Sequence, residues 1–559
     1  MSRWQEVKMF ASHLHGAREA REKEWRELSR WICPYRGVFE GEDIAPNATR
    51  RNRRAFTQAA TQALVRGASG MTTGMTPRNI AWFRPEFTEQ ELVELPGARA
   101  WLDAVDWAMK ETLANGGFYQ AIQAFNTDLL WAGCALLYSE TSPRTAMRYE
   151  CCQIGSFSVA LGPDGRLDAV VRSMAWTPAR IAQIFGRDKM SEGSRSKLEK
   201  QPYEPVRVMH MVRRRNFRDP AKQDKKNMPW ESFFWEDAGE EKFLSEGGYM
   251  EMPYFFAAWH EGQTVYGTGP GDEALADSLQ MDRMERTKLE GLAKLINPPV
   301  QYPYGMKDTV RLGPGDMNPV TERVQIAPII DLSPYAQSFR WLQEELQTVG
   351  QRLGQELQAN IFVSMPLEQR PKDMSATEFL ERKREALQQL GPVISAYEPN
   401  VLTPLLERTA AALDRAALLP PPPESLQGIP LMMQMTFISP MANALRQTNA
   451  ETTRAFLQDV AGLVQLTGSP GVLDKVDTDQ AVDELATGLG VPGTIVRADA
   501  DVEKIRQQRA QEQAAQQQAM MEAQQAQTGA TTAGALNDAA GAAEKINNMM
   551  MQPEEAQNG

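Results

Sequence analysis

The seven residues Tyr266-Gly-Thr-Gly-Pro-Gly-Asp272 constrain this chain more than any other stretch. Their glycines and proline make a tight, rigid turn, and the turn opens a charged helical run that continues to Ile296 and stops at Asn297-Pro298-Pro299. Asp272 and Glu273 fall in the first turn, where carboxylates offset exposed amides, and Lys288 and Lys294 sit toward the other end, where cations are favoured. The spacing predicts a rod roughly 36 Å long. A second rod begins at Ser333-Pro334, an N-cap and first-position pair. Phe339, Leu342, Leu346, Val349, Leu353 and Leu357 step by three and four along one face, and Gln343, Glu344, Glu345, Gln347, Gln351 and Glu356 fill the rest. Each rod has one narrow apolar stripe. Two such rods flanking a strand-and-turn insert, Val300 to Asp331, predict a hairpin with polar outer faces and a small module at its tip.

The 559 residues allow three or four compact units. Cys33, Cys134, Cys151 and Cys152 lack metal-ligand spacing and read as buried free thiols in a reducing setting. Met1 is followed by charged amphipathic sequence with Trp4, Val7 and Phe10 on one side, not by a secretory leader. No run approaches the roughly 18 apolar residues of a membrane span, so a soluble chain without membrane partners is expected. The net charge of −12 argues against a general duplex-binding surface, because phosphate affinity is built from clustered lysine and arginine.

Helices are expected over 2–32, with Trp25, Leu28 and Trp31 on one side, over 47–75, and twice within 97–131. Ala60, Ala63, Gly67, Gly70 and Gly74 would let the second pack closely. From Cys134 to His260 the period becomes two, with strands near 135–139, 147–153, 167–176, 206–213 and 231–235 and a hairpin turn at Gly162-Pro163-Asp164-Gly165. Ser375-Ala-Thr-Glu378 is a capping box for a helix kinked at Gly391-Pro392, again near Pro399 and Pro404, and ended by Pro420 to Pro423. Leu431 to Ile438 alternates as a strand expected to complete the earlier sheet. Residues 442–466 and 478–508 read as acidic helices, and the Gln- and Ala-rich sequence beyond Gln511 as a helical stretch and a loose tail. The fold class is α+β and helix-rich.

Catalytic chemistry is hard to place. There is no Gly-x-x-x-x-Gly-Lys loop, so no ATP-driven motor is encoded, and Gly267, Gly269 and Gly271 miss the dinucleotide spacing. His13 and His15 would point to different faces of a helix, and His210 and His260 stand alone. Asp272, Asp277 and Asp282 spread round a helix and read as a solvated face. No catalytic residue, metal or cofactor is expected. Two basic clusters remain. Arg50, Arg51, Arg53 and Arg54 precede a helix; Arg213, Arg214, Arg215 and Arg218, with Lys222, Lys225 and Lys226, surround Phe217. They would serve as nucleic-acid contacts, contacts to a neighbouring subunit, or plain charged loop surface.

The turn, helix, Asn-Pro-Pro stop, insert and returning helix resemble, in that order, the stem of the portal, or head-to-tail connector, proteins of short-tailed bacteriophages. Ala63-Leu64-x-x-Gly67, Gly70-Met-Thr-Thr-Gly-Met-Thr-Pro77, Trp82-Phe83, Leu390-Gly-Pro-Val-Ile394 and Phe437-Ile-Ser-Pro-Met-Ala442 are similar to further landmarks of that family, in the same order. The resemblance spans roughly residues 4 to 510. It implies N-terminal helices and an α+β wing over 1–265, stem helices over 266–297 and 333–360, a clip over 298–332, and a tunnel loop over 361–374. A kinked helix and returning wing strand over 375–441, a helical crown over 442–510 and a tail over 511–559 complete the division. It further implies a ring, dodecameric in the family, at one capsid vertex of the virion, assembled in the host cytoplasm. Expected partners are the terminase large subunit, the major capsid and scaffolding proteins, a tail adaptor, and double-stranded DNA passing through. By position, Glu368, Arg370 and Lys372 would lie nearest DNA. A non-channel scaffold or tail component and a nucleic-acid-acting enzyme are the competing readings.

Overall fold

The computed structural model describes residues 2–39, 55–296 except 90, 93, 94, 220, 223, 261 and 263, then 300–301, 327–328, 336–359, 396–438 except 430 and 431, and short stretches between 456 and 545. The chain divides into two units, Met1–Val472 and Leu473–Gly559.

The larger unit opens with helix α1, Arg3–Trp31. Ser2 and Gln5 cap it reciprocally, each side chain bonding the other's amide at 3.2 Å, which satisfies donors the first turn leaves free. Val7, Ala11, Leu14, Trp25 and Leu28 are buried along one stripe, and two different cores receive them. Trp25 and Leu28 enter the main core, while Val7, Ala11 and Leu14 lie on a sheet. Helices α2 (Ala59–Met75), α3 (Ala98–Asn115) and α4 (Phe118–Ala132) follow. The helix expected from residue 47 begins only at 59; residues 55–58 are not helical, because the amides of Phe56 and Thr57 donate to Asp282 Oδ1 at 2.7 and 3.3 Å. Close packing of α2 is realised at Gly67, where an added Cβ would stand 2.2 Å from the Leu357 carbonyl oxygen.

Strand β1 is Phe83–Phe87. Strands β2 (Cys134–Ser142) and β3 (Ala146–Cys152) form an antiparallel sheet with β9 (Tyr254–Ala258), in the order β3-β2-β9. A five-stranded antiparallel sheet runs in simple succession through β4 (Phe157–Leu161), β5 (Leu167–Trp176), β6 (Val206–Arg214), β7 (Trp230–Glu236) and β8 (Ser245–Tyr249). The turn at 162–165 joins β4 to β5, with Gly165 at φ +73. Alternation decides the sheet's two faces. Ala169, Val171, Met211, Phe233 and Trp235 take α1; on the other face Val208, with Leu244, packs on Ile181 of α5 (Pro178–Phe185) and on Met190, which precedes α6 (Glu192–Lys200).

Helices α7, Pro270–Ile296, and α8, Ala336–Glu356, follow, separated by the short pair β10 (Val300–Gln301) and β11 (Ala327–Pro328). A π-helical turn at Glu398–Leu402 carries Pro399 and leads into α9, Thr403–Arg415, with Pro404 in its first turn. The helical run is continuous from 396 to 415, and the π-helical turn ending at Leu402 is the irregularity just ahead of Pro404, which removes one backbone donor there. The helix stops at Arg415, before the expected Pro420 to Pro423, because Ala417 turns left-handed at φ +52 and Leu418 N–H donates to Leu413 O at 3.0 Å. Strand β12, Met433–Phe437, does not complete either larger sheet. It pairs antiparallel with β1, from Phe83 opposite Phe437 to Phe87 opposite Met433. Pro85 disguised its strand in the sequence, and a two-stranded sheet tolerates it because both strands are edges.

No helix among the described residues is long and apolar enough to cross a membrane. Residues 302–326, 329–335 and 360–395 lie outside the described set, and with them most of the insert, the loop with Glu368, Arg370 and Lys372, the capping box at 375–378 and the Gly391-Pro392 step. Arg50, Arg51, Arg53 and Arg54 are outside it too. In the smaller unit, 479–482 and 504–518 are helical, and Arg506 bonds Asp479 at 2.7 and 2.8 Å.

Candidate channel and assembly site

The turn before α7 is built by backbones in contact. Gly133 caps α4 at φ +79, and an added Cβ there would lie 2.7 Å from Thr268 C; on Gly269 it would lie 2.6 Å from Gly133 Cα, and on Gly271 2.2 Å from Trp131 O. Only glycine fits this crossing. Tyr266 is buried edge-on against Trp25, with ring centroids 5.2 Å apart, and its hydroxyl accepts from Val159 N–H at 3.3 Å. Burial pushes its pKa up to about 12.

Three carboxylates then fasten α7 to three other elements. Asp272 accepts from Gly269 N–H at 2.8 Å and takes both terminal nitrogens of Arg21, at 2.8 and 2.7 Å. Arg21 also donates to Ala132 O at 3.1 Å. Burial alone would lower the Arg21 pKa, but hydrogen bonds to Asp272 and Glu24 outweigh it and raise it. Asp277 pairs with Arg352 of α8 at 2.8 Å, and Asp282 holds the amides of Phe56 and Thr57. The expected solvated face is thus corrected: Asp282 is buried, and the other two are half-buried and paired. Spacing on the helix showed that the three diverge; it could not show that each meets a partner from a distant segment. Arg21 and Gly133, which complete the anchor, carried no signal beyond a charged helix and a lone glycine.

The helix pair is antiparallel. A Cβ on Gly291 would meet Phe339 Cζ at 2.7 Å, one on Gly350 would meet Met281 Cε at 3.6 Å, and Asp277 faces Arg352. Leu346, Val349, Leu353 and Leu357 are buried along the inner stripe of α8 and its continuation. Outward, α8 exposes Gln337, Gln343, Glu344, Glu345, Gln347, Gln351 and Gln355, with Arg340, Trp341 and Arg352 also exposed, so its outer surface is amide-rich.

Arg213 and Arg214 end β6 and Arg215 follows it, and side-chain alternation separates them. Arg213 bonds Glu231 at 2.5 Å and Glu6 at 2.8 Å, and Arg215 donates to Met228 O at 3.0 Å and Gly247 O at 3.3 Å. These two tie α1 and β8 to the sheet. Arg214 points outward, beside Phe217, which is 92% exposed. Among the described residues no group of three or more His, Cys, Asp or Glu side chains could hold a metal ion. His210 is buried, bonded to Tyr254 at 2.7 Å and Ser232 at 3.0 Å, and burial lowers its pKa to about 3. Cys33, Cys134 and Cys152 are buried and in no disulfide, and Cys151, half-buried, donates to Asp128 at 3.4 Å.

Comparison with known proteins places this geometry in context. The model of the bacteriophage head to tail connecting protein family matches residues 4–496. A probable portal protein of Bordetella phage BPP-1 is 29% identical over 514 residues, 91% of this chain and 90% of that protein. The portal protein of Salmonella phage epsilon15 is 28% identical over 509 residues, 90% of each chain. Among solved structures, a chain of the neck of an empty GTA particle covers 76% of this chain and 92% of its own length at 13% identity, with a TM-score of 0.32.

Proposed function

The chain belongs to the family of bacteriophage head to tail connecting proteins, and on that premise we propose that it is a portal subunit, which joins copies of itself into a ring at a capsid vertex. The observation that carries this reading is the family match over 4–496, together with relatives named portal proteins that align over nine-tenths of the chain. In this reading the ring encloses the channel for genome packaging and ejection, and the protein is a structural component of the virion with no catalytic role.

The helix pair α7 and α8 is the stem, within 266–297 and 333–360, and 298–332 is the clip on which the terminase large subunit and then the tail adaptor dock. Residues 1–265 and 375–441 form the wing toward capsid and scaffolding proteins, 442–510 the crown, and 511–559 a further tail. The loop 361–374 narrows the tunnel, with Glu368, Arg370 and Lys372 nearest the DNA. An amide-rich wall with Glu344 and Glu345 supports a channel through which duplex slides, because a basic wall would hold phosphates by counterion release. Within the basic cluster, Arg214 together with Arg218, Lys222, Lys225 and Lys226 is exposed toward DNA or a neighbour, whereas Arg213 and Arg215 are engaged within the chain. Assembly takes place in the host cytoplasm.

Negative-stain imaging of the full-length protein, with its mass in solution, tests this reading. Rings with a hole wide enough for duplex DNA are the expected result. Monomers or solid particles across the conditions of capsid assembly would overturn it.

A further inference from the structure

Among the described residues, two apolar features of the stem pair are exposed. Leu289, Leu292 and Ile296 near the end of α7 are 48, 39 and 84% exposed, and Trp341 of α8 is 67% exposed. The contacts of Gly291 with Phe339, Met281 with Gly350 and Asp277 with Arg352 fix a register in which Trp341 is level with Leu289.

Their flanks follow from helix geometry. At about 100° per residue, Leu292, Ile296 and Leu289 come roughly 60 to 120° round α7 from its inner stripe, all in one sense. Lower on α7 this same flank is occupied: Ser278 donates to Trp31 O at 3.3 Å, and Asp282 holds residues 56 and 57. The leucines continue this flank toward the end of α7. On α8, which runs the other way, Trp341 comes roughly 130° round from the inner stripe and leaves the pair on the opposite flank. Arg340, also exposed, leaves α8 on the leucine side.

A cyclic rotation about an axis along the helix pair keeps each residue at its own height and lays one flank of a copy against the other flank of the next. Apolar groups that are level and on opposite flanks are what this operation brings together. We propose that Trp341 of one copy seats on Leu289 and Leu292 of the adjacent copy, with Arg340 of that copy over the indole face. Ile296 extends the apolar seat toward the tip. Tryptophan and arginine are the side chains that dominate such contacts, and an exposed arginine over an indole adds a cation–π attraction. The inference rests on the ring reading above and adds the contact that sets neighbour against neighbour.

The test is disulfide trapping in the full-length protein. Trp341→Cys together with Leu292→Cys, mildly oxidised, should give a ladder of covalent multimers on denaturing gels, and either substitution alone should not. Cys33, Cys134 and Cys152 are buried, and the half-buried Cys151 is replaced by Cys151→Ser in every variant to keep the readout clean. Trp341→Ala should raise the concentration for half-assembly at least tenfold. Rings without a ladder, with Trp341→Ala assembling as well as the parent, would overturn the pairing and leave the ring reading standing. A parent protein that never forms rings would overturn both.

Discussion

Replacing Gly133 with alanine tests whether the turn into α7 is held by crowded backbone. At φ +79 a side chain costs about 1 to 2 kcal/mol. The added Cβ also meets Thr268 C at 2.7 Å and Gly269 N at 2.8 Å, main-chain atoms that cannot swing aside, and overpacking of that kind costs about 1 to 3 kcal/mol. Two controls separate these contributions. Gly165 has φ +73 with nothing within 4 Å of an added Cβ, so Gly165→Ala should cost only about 1 to 2 kcal/mol. Gly269 lies outside the left-handed region but would meet Gly133 Cα at 2.6 Å, so Gly269→Ala should cost only about 1 to 3 kcal/mol. Gly133→Ala should then lose about 2 to 5 kcal/mol. Native-state hydrogen exchange, read as the opening free energy of amides flanking each site, measures all three locally. A Gly133→Ala loss no larger than that of Gly165→Ala would refute the crowding argument.

Asp272→Asn should destabilise the protein by about 3 kcal/mol, because Arg21 keeps its buried charge without its main counterion; in a double-mutant cycle Arg21→Met should recover part of that loss. His210 has its folded pKa depressed from 6.5 to about 3, so its contribution to stability is complete above about pH 6.5 and is lost as pH falls toward 3, at about 1.4 kcal/mol per unit. Thermal melts against pH should show that slope in the parent and a shallower one in His210→Gln; parallel curves would sink the assignment. Burial raises the Cys134 and Cys152 thiols, the latter to about 12, so iodoacetamide at pH 8 should leave both unmodified in the folded protein and alkylate them in urea, as read by peptide mass spectrometry.

The sequence was most legible where one local rule fixed the outcome. The Gly-Pro-Gly turn, the acidic first turn and the three-and-four stripe of α8 each rest on neighbours in the chain, and both helices formed where those signals lie. The strands 167–176 and 206–214 alternate clearly because each separates two different cores. Other elements depend on distant partners. Ser245-Glu-Gly-Gly-Tyr249 has little strand character and forms β8 by pairing with β7, while Tyr254–Ala258 is a short apolar run that pairing with β2 makes a strand. Helix α2 starts at 59 because a carboxylate more than two hundred positions away captures the preceding amides. The same blindness made Asp272, Asp277 and Asp282 look solvated, since a carboxylate's partner is invisible until the fold supplies it. Among Arg213, Arg214 and Arg215 composition gave three equal candidates, and the pleat of β6 separated one from the other two.

The three carboxylates on α7 also give the helix mechanical properties. Fastenings at 272, 277 and 282 clamp its first half to α1, to α8 and to the entry of α2, whereas the 14 residues from Asp282 to Ile296 carry the helix on for about 21 Å beyond the last of them. Such a beam, fastened by carboxylates over its first half and packed on α8 at Gly291 over its second, turns a small sideways displacement at its tip into a torque at the clamp. The first structure to feel that torque is the seat of Asp282 on the Phe56 and Thr57 amides; behind it stand the Asp277 to Arg352 pair and then the Arg21 to Asp272 pair, which sits against the end of α4 and the crossing of Gly133 with Gly269. A load applied where the two helices approach their insert is therefore delivered to the centre of the main core, on which α1, α4 and the β2 sheet converge.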